Sequence, residues 1–236
     1  HDAEEIWRDV KHLISRIIKK NKLKPSQIIS IGITNQRETT VLWNKKTGKP
    51  IYKAIVWQDR RTADYCNQLK LKKKDKIIQK ITGLVLDPYF SATKIRWILN
   101  KISKNSTDQD TNILFGTIDT WLLWKLTEGS SHYTDITNAS RTMIYDSKKE
   151  EWSKELLKLF NINKSLLPEV KENAFNFGST KLFGGNIVIG GMAGDQQAAT
   201  IGQACFNAGQ SKSTYGTGCF LLMNIGNKFK ISTNKL

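Results

Sequence analysis

The chain has 236 residues, of which 39% are hydrophobic and 25% charged, enough to bury one large core or one domain with part of another. Its 37 Lys and Arg against 21 Asp and Glu give a formal net charge of +16, which raises nucleic-acid binding as a possibility to be weighed. The apolar runs are far too short to span a bilayer and the acidic start His1-Asp2-Ala3-Glu4-Glu5 is unlike a signal peptide, which argues against membrane insertion and for a cytoplasmic protein.

In chain order, Ile6, Val10, Leu13, Ile14, Ile17 and Ile18 form one stripe of an amphipathic helix, whose packing partner is expected from elsewhere in the fold. Gln27 to Thr34 reads as a buried strand, Thr39 to Asn44 as its neighbour, Lys46 to Pro50 as a turn and Ala54 to Gln58 as a third strand. Helices are predicted over Arg61 to Lys73 and Ser91 to Ile102, with Gly83 to Pro88 a loop between them. Phe115-Gly116-Thr117 feeds a helix from Ile118 to Leu126, Trp152 to Phe160 makes another, and Leu166-Leu167-Pro168 closes a short segment. Asn186 to Ile189 is an apolar strand that hands over to a helix near Asp195, and Phe220 to Asn224 opens a new strand. The alternation is that of a mixed α/β domain. A helix already under way at the start, the absence of an initiator Met and a stop at Asn234-Lys235-Leu236 just after Phe220 to Asn224 has opened a new strand pattern lead to the expectation of a piece of a longer protein.

The distribution of charge argues against nucleic acid. Lys19-Lys20, Lys45-Lys46, Lys72-Lys73-Lys74 and Lys148-Lys149 are scattered and lack the interleaved aromatics of a base-stacking platform, so a solvated lysine surface is expected. Cys66, Cys205 and Cys219 are odd in number and widely spaced, so neither a disulfide framework nor a metal site is expected. The glycosylation-type triplets at Asn105, Asn138 and Asn163 are read as chance matches.

Two constellations carry chemistry. Asp195 lies where an apolar run and small residues give way to a helix, which sets a helix-capping carboxylate beside an open crevice at the carboxyl end of a sheet. About twenty residues later, Gly216-Thr217-Gly218 lets backbone N–H groups and one hydroxyl approach an anion. Together they suit a hydroxyl-bearing substrate meeting a phosphate. The second constellation is Arg37-Glu38 at a strand end: a guanidinium supplies donors and a carboxylate acceptors, so the pair can grip adjacent hydroxyls of a polyol, although an ordinary surface ion pair would look the same. Trp57 and Tyr89 are placed to wall such a site, although with seven Trp in the chain most must be core.

Seven blocks in order resemble the glycerol kinases of the FGGY carbohydrate kinase family: Thr34-Asn35-Gln36-Arg37-Glu38-Thr39, Ala54 to Gln58 with Arg60-Arg61-Thr62, Gly83 to Ser91, Phe115 to Leu122, Thr137-Asn138-Ala139-Ser140-Arg141-Thr142, Gly194-Asp195-Gln196-Gln197 and Tyr215-Gly216-Thr217-Gly218-Cys219-Phe220. The resemblance covers essentially the whole chain. It implies an actin-like, ribonuclease-H-like ATPase fold, with residues 1–204 as most of an N-terminal domain lacking its first strands and 205–236 as the start of a C-terminal one. It implies ATP and Mg²⁺ as cofactors, glycerol as substrate, sn-glycerol 3-phosphate as product, and a homo-oligomer at full length. By the same resemblance Arg37, Glu38 and Tyr89 bind glycerol hydroxyls, Trp57 and Phe220 form the apolar wall, Asp195 is the general base with Gln196 beside it, and Gly216, Thr217 and Gly218 meet the nucleotide phosphates. The family's opening Gly-Thr-Thr hairpin with its Mg²⁺-orienting Asp, and its adenosine site, have no match here, so the chain by itself is expected to be inactive. A pentose or hexose kinase of the same family, or a non-catalytic homologue, is the alternative; Asn35-Gln36-Arg37-Glu38 favours glycerol, and the intact Asp195 and Thr217 favour chemistry.

Overall fold

The computed structural model describes residues 1–103, 112–232 and Asn234. The Asn105 triplet, Lys235 and Leu236 lie outside the described residues. The helices are α1 (Ala3–Lys20), α2 (Ala63–Leu71), α3 (Asp75–Thr82), α4 (Ser91–Ser103), α5 (Ile118–Leu126), α6 (Ile136–Ala139), α7 (Lys154–Phe160) and α8 (Asp195–Gly202). The strands are β1 (Ser30–Asn35), β2 (Val41–Asn44), β3 (Ile113–Gly116), β4 (Tyr133–Asp135), β5 (Tyr145–Asp146), β6 (Glu151–Trp152), β7 (Glu169–Lys171), β8 (Ala174–Thr180), β9 (Ile187–Gly194), β10 (Ser211–Tyr215) and β11 (Cys219–Met223).

A three-stranded sheet runs in the order β1-β9-β8, with β1 parallel to β9 and β8 antiparallel to it. The parallel register opposes Ser30 to Val188 and ends with Asn35 opposite Gly194, so the two carboxyl ends finish side by side. That coincidence positions the site, because whatever follows Asn35 and Gly194 must emerge at the same crevice.

The antiparallel ribbon of β2 and β3 separates two cores. Successive strand side chains point to opposite faces. Accordingly Leu42, Ile113 and Phe115 pack with α2, α3, α4 and α7 through Leu69, Ile78, Ile95, Ile98, Leu156 and Phe160. Val41, Trp43 and Leu114 pack the other way, with Trp7, Trp121, Leu123, Phe177 and Ile189.

Several expectations change. α1 finds its partner inside the chain: Ile6, Trp7, Val10, Ile14 and Ile18 face the core that contains α5, and Trp121 Nε1 donates to Ala3 O at 2.8 Å. Leu13 and Ile17 stay more than half exposed. The strand from Gln27 is shorter than expected: Pro25–Gln27 is a 3₁₀ turn, β1 starts at Ser30, and among the described residues β1 has a partner on one side only, with Ile29 92% exposed. β2 pairs with β3 rather than β1, because the chain reverses at Glu38, whose φ is 62°. Ala54 to Gln58 makes a single bridge between Ile55 and Thr40 and then turns at Trp57. Trp152 belongs to β6 opposite Tyr145, and α7 begins after Ser153, whose hydroxyl accepts from Leu156 N at 3.3 Å. The sequence reading passed over α3, although Ile78 and Ile81 have helical spacing and Gly83 ends the helix in the left-handed conformation at φ 76°.

Candidate active site

The parallel ends of β1 and β9 bring Arg37 and Asp195 together across 158 positions of sequence. Arg37 Nε donates to Asp195 Oδ1 at 3.0 Å and its terminal nitrogen reaches Gln197 Oε1 at 3.3 Å. Arg37 is 4% exposed, whereas the Asp195 side chain is 42% exposed and open to the cleft. Gly194 makes the approach possible: a Cβ there would sit 2.5 Å from Arg37 Cδ and 2.6 Å from Cγ. Asp195 is the first residue of α8 rather than its cap, since Gly194 holds the cap position. Its Oδ1 also accepts from Gln196 N at 2.9 Å, and its Oδ2 from Gln196 Nε2 at 3.2 Å.

Glu38 does not chiefly pair with its sequence neighbour. Its carboxylate lies 3.9 Å from Arg37 Nε but accepts from Arg141 Nε at 2.7 Å, and it is 2% exposed. A surface ion pair is therefore the wrong description. Burial pushes the Glu38 carboxyl above its ordinary range, and Arg141 and then Arg37 pull it back down. Arg141 also stacks on Tyr89 at 5.5 Å and Phe90 at 4.9 Å, so one guanidinium orients both the carboxylate and the ring.

Trp57, Tyr89 and Phe220 form a continuous aromatic wall. Ring centroids are 5.4 Å apart for Trp57 and Tyr89 and 6.2 Å for Trp57 and Phe220. Gly216-Thr217-Gly218 is the three-residue loop of the β10–β11 hairpin, closed by Gly216 N donating to Gly218 O at 3.1 Å. Gly218 lies so close to Phe220 that a Cβ would come within 2.8 Å of its ring. All ten predicted site residues line one cleft of about 240 Å³, together with Gln36 and Thr214.

Two features beneath the cleft escaped the sequence reading. Lys94 on α4 is fully buried and donates to the carbonyls of Tyr89 and, at 3.3 Å, Phe90, tying down the aromatic segment. Burial lowers its pKa to about 8. The second is a buried polar network centred on Asp119 and Asp135, both fully buried. Asp119 accepts from Thr117, from Thr134 at 2.7 Å and from Asn35 at 3.3 Å, while Asn138 bridges Asn35 at 3.0 Å to Asp135 at 2.6 Å. Thr137 donates to Asp135 and accepts from Gly194 N at 2.8 Å, so the network reaches the peptide before Asp195. Asn138 itself is 0% exposed. Among the described residues no group of three or more His, Cys, Asp or Glu could hold a metal ion, and no helix is long and apolar enough to cross a membrane.

A mixed sheet thus carries a polar crevice at its strand ends, walled by aromatics and closed by a glycine loop. The chain belongs to the FGGY family of carbohydrate kinases, whose N-terminal domain it matches over residues 1–202. It is 54% identical to the glycerol kinase of Lactococcus lactis subsp. lactis (strain IL1403) over 240 residues, covering all of this chain and 48% of that protein. It is 53% identical to the glycerol kinase of Streptococcus pyogenes serotype M6, with the same coverage. Among solved structures, Plasmodium falciparum glycerol kinase with ADP aligns with a TM-score of 0.89 at 43% identity, over 99% of this chain and 47% of that one. Gluconate kinase from Lactobacillus acidophilus, at 22% identity and a TM-score of 0.81 over 94% of this chain and 44% of that one, shares the fold. The chain spans about half the length of the curated relatives it matches.

Proposed function

We propose that this chain supplies the alcohol-binding face and the base of an enzyme that transfers the γ-phosphoryl group of ATP to a terminal hydroxyl of glycerol, giving sn-glycerol 3-phosphate. The observation that carries this reading is the convergence of Arg37, Glu38, Tyr89 and Asp195 with the Gly216-Thr217-Gly218 loop in one small cleft. Donors and acceptors at Arg37 and Glu38 facing an aromatic wall suit a small polyol.

In this mechanism Arg37 donates and Glu38 accepts at neighbouring hydroxyls, and the wall of Trp57, Tyr89 and Phe220 packs on the carbon skeleton. Asp195, fixed by Arg37 and Gln196, takes the proton of the attacking hydroxyl as its oxygen bonds to the γ-phosphorus. The electrons of the breaking P–O bond leave on ADP. Gly216 N–H closes the loop on Gly218 O, leaving the backbone N–H groups of Thr217 and Gly218 and the Thr217 hydroxyl to face the phosphates. Mg²⁺ would be held mainly by those phosphates, since among the described residues no group of three or more His, Cys, Asp or Glu could bind it, which suits an ion that typically keeps several waters. There it would neutralise phosphate charge. On this reading residues 1–204 belong to the N-terminal domain and 205–236 begin the second, and the hairpin loop is the second domain's contribution to the cleft.

The test is Asp195→Asn in a full-length kinase carrying this chain, assayed with ATP, Mg²⁺ and glycerol. Losing a positioned base should lower kcat by about 10²–10⁴ with the fold intact. Near-wild-type turnover would overturn the assignment.

A further inference from the structure

We propose that Lys212 is a positioning residue that orients Asp195 through Gln196, so that the carboxylate is aimed correctly when the β10–β11 hairpin is seated on α8. This rests on reading Asp195 as the base. Lys212 lies on β10 and is 5% exposed, with its ammonium donating to Gln196 Oε1 and, at 2.8 Å, to Thr214 Oγ1. Gln196 lies on α8, is 7% exposed, and donates from Nε2 to Asp195 Oδ2 at 3.2 Å.

The direction of this relay follows from the chemistry of its members. An ammonium has donors and no acceptor, so the amide oxygen of Gln196 must face Lys212. An ionised carboxylate has acceptors and no donor, so the amide nitrogen must face Asp195. Remove the lysine and the amide is free to turn over, presenting oxygen to oxygen. Arg37 fixes the other oxygen of Asp195 from the turn after β1, so the carboxylate is gripped from two sides at once. The charged and titratable groups around Lys212 are Arg37, Asp195 and Cys205; burial lowers its pKa, and Asp195 raises it in part. Lys212 does not line the cleft, so its effect passes through the amide.

The experiment uses a full-length kinase carrying this chain. Lys212→Met should lower kcat by about tenfold to a hundredfold, the equivalent of a hydrogen bond to a charged group, while the glycerol KM stays within about twofold. Gln196→Leu should cost a similar amount, and the double variant no more than either single, because both break one relay. Gln196→Glu preserves the contact to Lys212 but removes the donor to Asp195 and places a like charge beside it. It should therefore keep a cooperative melt and lose at least tenfold in kcat, which tests the amide's donation to Asp195 even if Lys212→Met does not fold. A kcat within twofold for Lys212→Met or Gln196→Glu, or additive losses in the double variant, would overturn the proposal. Asp195→Asn in the same assay separates the two claims: inactivity there beside a fully active Lys212→Met removes the relay alone, whereas an active Asp195→Asn removes the base assignment and the relay with it.

Discussion

The left-handed backbone at Glu38 sends two adjacent charged side chains to different partners, Arg37 to Asp195 and Glu38 to Arg141. A non-glycine residue held there costs about 1–3 kcal/mol, which the surrounding contacts must offset. They include the Glu38 carbonyl, which accepts from Thr40 and Ser91 at 3.1 Å each. Because the Glu38 carboxylate is already buried and paired, its replacement is felt locally. Glu38→Gln should raise the glycerol KM by about tenfold to a hundredfold and leave the ATP KM nearly unchanged, as steady-state titration of each substrate would read. Equal effects on both would mean the carboxylate supports the fold rather than the polyol. Residues of this kind were legible in sequence because they follow strand ends and carry unusual chemistry for a turn. Arg141, Lys94 and Lys212 were not, since their roles depend on partners dozens of positions away or on backbone carbonyls that carry no sequence signature.

At the scale of elements, α5 begins against a carboxylate with no cationic partner in its hydrogen-bond set. Asp119 is pushed up to about 6, first by burial and then by the nearby Asp135. The fold thus prefers its protonated form. The stabilising contribution is complete below the ordinary aspartate value near ~4 and is lost as pH rises through about 6, on the order of 3 kcal/mol. Asp135 and Glu38, also raised, act in the same direction. Thermal melts of the chain from pH 4 to 7 should therefore show Asp119→Asn gaining on the parent as pH rises; a constant difference would remove the claim. Helices such as α1, α5 and α8 were readable because their periodicity and end residues are local. Strand partners were not: β1 and β9 are 158 positions apart in register, and no local pattern records which edge a strand will find.

For the molecule as a whole, the +16 charge resolves into dispersed lysines. One shallow groove gathers Lys11, Lys45, Lys46 and Lys125, but the Trp7 and Trp124 beside it are each 8% exposed and offer no face for a base. Duplex DNA should therefore bind weakly at low salt and be released at physiological ionic strength in a gel-shift titration, and retention there would revive a nucleic-acid role.

A single hairpin carries both the Gly216-Thr217-Gly218 loop proposed to face phosphate and, two residues on from Gly218, the Phe220 ring of the proposed polyol wall. Neither can move without the other, given how closely Gly218 abuts that ring. On the proposed function, occupancy of the cleft by alcohol and by nucleotide would be thermodynamically linked: whichever arrives first bears the cost of settling the hairpin, and the second binds to a surface already in place. Linkage of this sort is reciprocal, so glycerol should tighten ATP by the same factor by which ATP tightens glycerol in a full-length kinase carrying this chain, and a pair of equilibrium titrations would expose any inequality.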